Sequence, residues 1–217
     1  MQIYNKSECN NLNTRFTQYK NAGEMYQEML ELTKSGGDYT VRNYVGVITD
    51  MSLGASMVET ELFPKGALEY YAKKNMGLPY SAHEASEFQM EKRGGEQGDY
   101  SFGATEKILN IVNCLKEHPY SKRAIFPIPF ANEPSIKVNF ADKGQTKCVR
   151  ELHFYLDGNK LGCTGFLRMQ NAVIFPKNIY FIASLMEHIA EQLPGVVVGC
   201  YTHFVTSLCL DREAKHC

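Results

Sequence analysis

The sequence predicts an α/β (α+β) domain, with a mixed, mainly antiparallel sheet and packed helices, from three observations. Asp157-Gly158-Asn159 separates two runs, Cys148 to Leu156 and Lys160 to Arg168, that read as the two strands of a hairpin. Pro176 then opens a helix whose apolar stripe is Ile182, Leu185, Met186, Ile189 and Leu193. Helical and strand-like stretches alternate around this hairpin, and an antiparallel central pair argues against a parallel doubly wound sheet.

The remaining elements can be taken in order. Residues 1–22 are polar and rich in asparagine and read as a loosely held arm ahead of a single domain over 23–217. Gly23 to Ser35 is an expected helix, ended by Gly36-Gly37, and Tyr39 to Asp50 an expected strand. Lys65 to Asn75 is a short helix stopped by Gly77, and residues 81–101 read as a long surface loop. Ile108, Leu109, Ile111, Val112 and Leu115 suggest one buried helical face, with the helix ending at His118-Pro119. Ala124 to Phe130 and Val196 to Leu210 complete the expected strands.

Composition narrows the class of function. The 217 residues carry a net charge of −1, so no basic surface points to nucleic acid. No apolar stretch is long enough to span a bilayer, and no signal-like segment opens the chain. Seven cysteines without C-x-x-C spacing suggest neither a disulfide framework nor a zinc site, and fit a cytoplasmic protein with no metal.

The hairpin also brings chemistry together. A three-residue loop would set Cys148 opposite Arg168, whereas a two-residue loop would turn Arg168 to the other face. A guanidinium beside a thiol stabilises the thiolate and makes a nucleophile at neutral pH. The same spacing also suits a buried cysteine next to a structural arginine, and the pattern alone leaves both open.

An ordered set of segments extends this reading. Cys148-Val149-Arg150-Glu151-Leu152-His153-Phe154-Tyr155 and Gly165-Phe166-Leu167-Arg168 resemble the nucleophile and phosphate-arginine strands of the thymidylate synthase and nucleotide hydroxymethylase superfamily. Phe175-Pro176-Lys177-Asn178-Ile179, Cys200-Tyr201-Thr202-His203-Phe204-Val205, Tyr120-Ser121-Lys122-Arg123-Ala124-Ile125, Val41-Arg42-Asn43 and Leu68-Glu69-Tyr70-Tyr71 resemble further segments of that family. The match runs in order over about residues 24–212.

The resemblance implies a thymidylate synthase-like fold and a set of roles. Cys148 would add to C6 of a pyrimidine nucleoside monophosphate, with 5,10-methylenetetrahydrofolate as one-carbon donor. Arg168 and Arg42 would hold the 5′-phosphate, joined by Lys122 and Arg123 from the partner subunit of a homodimer. Asn178 would read the base and His203 a sugar hydroxyl, while Glu69 and Asn171 (at the family's aspartate position) would join the catalytic set. Each has a plainer reading: solvated strand-end cations, a satisfied core histidine, a cap-region asparagine, an exposed helix carboxylate.

Departures from the family shift the expected product. Val149, Met169, Asn171, Phe102 and Val205 stand where the family carries histidine, serine, aspartate and two tyrosines, and the chain has no tryptophan. A less enclosed pocket would admit water, which favours hydroxymethylation of CMP or dCMP over methylation of dUMP. A protein that binds a nucleotide or other ligand without this chemistry is the further alternative.

Overall fold

Residues 16–34, 40–89, 98–128 and 147–210 are described by the computed structural model. In chain order the elements are β1 (Phe16–Tyr19), α1 (Ala22–Thr33), β2 (Val41–Ile48), α2 (Leu53–Ser56), α3 (Lys65–Met76), α4 (Ala82–Glu87), α5 (Ala104–Glu117), β3 (Ile125–Pro127), β4 (Val149–Asp157), β5 (Lys160–Leu167), β6 (Gln170–Asn171), α6 (Phe175–Ala190) and β7 (Val197–Cys209). The seven strands form one mixed sheet in the order β1-β2-β7-β5-β4-β3, with β6 paired to β7. The β2/β7, β3/β4 and β4/β5 pairs are antiparallel. The β1/β2, β5/β7 and β6/β7 pairs are parallel, so the sheet is mixed, with antiparallel pairing over the longer share of its ladders.

Local chemistry sets the helix limits. The Asn21 side chain caps α1 by accepting from the Glu24 N–H, and Met25, Tyr26 and Met29 form its buried face. Gly77, at φ 71, ends α3 in the left-handed conformation that glycine adopts without strain. On α5 the buried residues are Ala104, Ile108, Ile111, Val112 and Leu115. Leu109, expected on that face, is 54% exposed because it lies about 100° round the helix from Ile108.

Three further expectations change. Residues 16–19 of the expected arm form β1 beside β2, with Tyr19 buried, while residues 1–15 lie outside the described residues. The expected loop at 81–101 contains α4, which a Ser81/Glu84 capping box starts and a 2.7 Å Lys73–Glu84 ion pair holds against α3. Its six residues bury nothing, so no periodicity announced it. The expected helix stop at Gly36-Gly37, the end of the 124–130 strand at residues 129 and 130, and residues 90–97 lie outside the described residues.

One sheet face carries the core. Tyr44, Ile48, Leu152, Phe154, Cys163, Leu167, Tyr201 and Val205 alternate along their strands and join the apolar cluster formed with α1, α3, α5 and α6. The alternate residues, among them Val45, Val47, His153, Thr164, Phe166, Thr202 and Phe204, are half-buried. Nearly all of α6 is buried, beyond the stripe expected for it, so it is a central helix rather than a surface one. Lys177 and Asn178, in its first turn, are therefore polar groups embedded in the core.

Candidate active site

The hairpin turn has two residues. Asp157 pairs with Lys160, and Gly158 takes φ 59, as the first central residue of such a turn can when it is glycine. By itself this shorter loop would face Cys148 with Met169. A bulge at Arg150 restores the alignment, since Glu151 pairs with Phe166 but Val149 with Leu167. The Arg168 N–H then donates to the Cys148 carbonyl at 3.0 Å. The expected pairing exists, through a bulge rather than a longer loop.

Cys148 is 3% exposed and cations surround it. Arg168 Nε donates to the Lys147 carbonyl at 3.2 Å, which holds the guanidinium beside the start of β4. Burial pushes the Cys148 thiol above its ordinary value, while Arg168, Lys177 and Lys147, in that order, pull it back without cancelling the rise. Desolvation thus outweighs the three nearby cations that favour the thiolate, and the thiol stands above its ordinary value. Arg150 stands close enough to Arg168 to be pushed below its ordinary value, burial being the larger cause. Burial also holds the Tyr71 and Tyr100 hydroxyls protonated, and both lie near Cys148.

Asn178 belongs to the same cluster. It is 1% exposed; its Nδ2 donates to Gln170 Oε1 at 3.1 Å, and Tyr71 lies 3.4 Å from its Oδ1. Lys177, 2% exposed, stacks its ammonium 5.1 Å from the Tyr71 ring centre and 5.8 Å from that of Phe63. A side chain at Gly98 would strike both the Tyr71 hydroxyl and Lys177 Nζ, so glycine there lets the backbone close over the pair.

The other expected site residues fall elsewhere. Arg42 is exposed within β2, not in a loop, and donates to Ser207 of β7; Asn43 after it takes φ 53, which asparagine tolerates. This places Arg42 at the Arg168 end of the sheet, because Thr206 reaches the Leu167 carbonyl at 3.4 Å. Lys122 and Arg123 are exposed just before the edge strand β3. Glu69 is half-exposed and pairs with Lys65 at 3.9 Å. It lies two residues from Tyr71, about 200° round α3, so Tyr71 rather than Glu69 faces the thiol. The Asn171 Oδ1 accepts from the Val173 N–H at 3.0 Å and caps a 3₁₀ turn over Ala172–Ile174, which commits it to structure.

His203 is completely buried against Tyr44, Phe175 and Tyr201. Its Nδ1 shares a 2.9 Å hydrogen bond with the Tyr201 hydroxyl, and its Nε2 has no hydrogen-bond partner among the described residues. Strand alternation points it into the helix-covered face, so a sugar hydroxyl reaches it only if those rings move. The expected sugar ligand is a core residue in this form of the protein.

Neither protein-family models nor curated protein sequences give a match to this chain.

Five contributors escaped the sequence reading: Lys147, Lys177, Tyr71, Tyr100 and Gln170. Lys177-Asn178 did leave a signal, as a polar pair directly after Pro176 in a helix otherwise apolar on several sides. Chemically, the cluster offers a nucleophile, several cations for an anionic ligand, and an amide with one donor and one acceptor for a planar polar edge. Among the described residues no group of His, Cys, Asp and Glu is arranged to hold a metal ion, and no helix is long and apolar enough to cross a membrane.

Proposed function

We propose that the chain acts on a pyrimidine nucleoside monophosphate, by the chemistry of the thymidylate synthase and nucleotide hydroxymethylase superfamily, and hydroxymethylates C5 of CMP or dCMP. The observation that carries this reading is the ring of Arg168, Lys177 and Lys147 around the buried Cys148, with the Asn178 amide in the same cluster. A phosphate suits the guanidinium of Arg168, and a base edge suits the amide. The thymidylate synthase-like fold belongs to the same proposal, supported by the mixed sheet and by the position of the cysteine strand beside the arginine strand.

In the proposed cycle the Cys148 sulfur bonds to C6 and gives up its proton, while the C5–C6 π electrons move into the ring toward the edge held by Asn178. C5 bonds to the one-carbon unit, whose bond to the folate nitrogen breaks so that tetrahydrofolate leaves with that electron pair, and C5 gives up its own proton to solvent. Water supplies the hydroxyl oxygen, and Cys148 leaves as the C5–C6 double bond reforms. Methylenetetrahydrofolate supplies the carbon when bound; the described residues around Cys148 suit a nucleotide and mark no separate place for a pterin. Because the free thiol is protonated, its proton must leave as the sulfur adds, and the surrounding cations stabilise the sulfur's negative charge at that moment. Exposed Lys122 and Arg123, together with the half-buried apolar residues on the sheet face that no described helix covers, suit a homodimer in which a neighbouring subunit completes the phosphate site.

A ligand-binding protein without this chemistry is the second reading, favoured by the protonated thiol and by the structural use of Asn171. CMP, dCMP, UMP and dUMP tritiated at C5, offered with methylenetetrahydrofolate, separate the readings. Tritium release with a hydroxymethylated product, lost in Cys148→Ala, is the expected result. A methyl product would replace hydroxymethylation with thymidylate synthesis. Absence of release from every nucleotide, with wild type equal to Cys148→Ala, would overturn the enzyme reading.

A further inference from the structure

We infer that Gln170 is a positioning residue that fixes the amide orientation of Asn178 and thereby commits the site to one pyrimidine base; this rests on the base-reading role proposed for Asn178. A side-chain amide can recognise either pyrimidine. Uracil offers an acceptor at O4 beside a donor at N3, whereas cytosine offers a donor at N4 beside an acceptor at N3. Turning the amide by 180° converts one complement into the other. An asparagine free to turn reads both bases, and a locked one reads a single base.

The lock is a chain of hydrogen bonds with fixed polarity. The Asn171 carbonyl can only accept, so the group 2.6 Å from it must be the Gln170 NH₂. This leaves Gln170 Oε1 facing Asn178 at 3.1 Å, where it needs a donor, and only Nδ2 of Asn178 supplies one. At the other end, the Tyr71 hydroxyl is 2.8 Å from the Gly98 carbonyl, again an obligate acceptor, which engages its single proton. Asn178 Oδ1, 3.4 Å from that hydroxyl, is left with acceptor capacity for a ligand. Gln170 and Asn178 are both buried, so leaving either bond unmade is costly, and the backbone of Gln170 is pinned by pairing with Leu208 of β7.

The test measures base discrimination. Wild type should bind the cytosine and uracil nucleotides with affinities at least about tenfold apart, and turnover should show the same preference. Gln170→Met, similar in volume but unable to bond, should bring the two affinities within about threefold. Gln170→Glu, protonated in this buried setting, can donate to the Asn171 carbonyl and accept from Asn178, and should keep the preference. A merely structural role would weaken both nucleotides alike and leave their ratio unchanged. A wild-type ratio in folded Gln170→Met, or no discrimination in wild type, would overturn the inference.

A second measurement needs no variant to fold. In wild type labelled with ¹⁵N at asparagine side chains, the Asn178 amide protons should exchange slowly with solvent, and rapid exchange would also overturn the lock. Asn178→Ala separates the two levels of the argument. If it leaves binding of every nucleotide unchanged, the base-reading role fails and takes this inference with it. If it alters binding while Gln170→Met preserves the ratio, the role of Gln170 fails alone.

Discussion

The buried imidazole of His203 should make the protein acid-sensitive, by an amount that follows from its surroundings. Complete burial against three rings lowers its pKa to about 3 from an ordinary 6.5. Between these values the unfolded chain holds a proton here that the native chain does not, so stability rises with pH across that window and falls on acidification. At about pH 5 the penalty is about 2 kcal/mol relative to about pH 7.5. With an m-value of about 2 kcal/mol/M, the urea midpoint should fall by roughly 1 M from this residue alone. His203→Asn is the informative comparison, because asparagine can still bond to the Tyr201 hydroxyl but does not titrate. Its loss of ring contacts is a cost independent of pH, and carboxylates elsewhere titrate alike in both proteins. The pH-dependent part of the loss should therefore be about 2 kcal/mol smaller in the variant. Equal losses in the two proteins would show that the ring is hydrated or charged in the native state, and would refute the burial argument.

Two further outcomes test the hairpin and the thiol. Gly158→Ala places a Cβ in open space, so its cost is the left-handed backbone alone, about 1 kcal/mol, whereas Gly165→Ala sets a Cβ 2.3 Å from the Tyr201 hydroxyl and should cost more than about 2 kcal/mol; equal melting temperatures for the two variants would contradict the packing described. Arg168→Met removes the cation that contributes most to lowering the Cys148 pKa, so the pH midpoint of Cys148 alkylation, followed by peptide mass spectrometry, should rise while Arg168→Lys stays near wild type. An unchanged or lower midpoint in Arg168→Met would remove Arg168 from the thiol's environment.

Period and punctuation made most of the fold legible. The α6 stripe, the Gly77 stop and the 148–168 hairpin could be read because each rests on local patterns that burial then reinforces. β1 and β6 could not, since strands of four and two residues owe their existence to a neighbour supplied by the sheet. α4 was hidden for a different reason: a capping box and an ion pair stabilise it, and it has no apolar face. Within the site, the ordered segments pointed to Cys148, Arg168 and Asn178, which the fold does gather. They also pointed to His203, Asn171 and Glu69, whose side chains are taken up by the core, a cap and the outer face of α3. Sequence order carries over to space for residues on one hairpin; it does not settle which way a side chain turns on a helix or a buried strand.

The cations near Cys148 make the strongest case that this cluster is functional rather than structural. Lys177 is buried in the first turn of α6, where the helix dipole disfavours a positive charge by about 0.3–1 kcal/mol. Arg168 and Lys147 add like charge nearby, and Arg150 lies close enough to Arg168 to feel it. Asp99 is held below its ordinary value by hydrogen bonds from Ser101 and then by Lys74 and Lys147, and Glu151 offsets part of the repulsion between Arg150 and Arg168. A cluster selected for stability alone would disperse such groups or replace them with apolar residues of similar volume. In the reaction proposed above, the sulfur as it loses its proton and the nucleotide phosphate are the anions that these cations would stabilise.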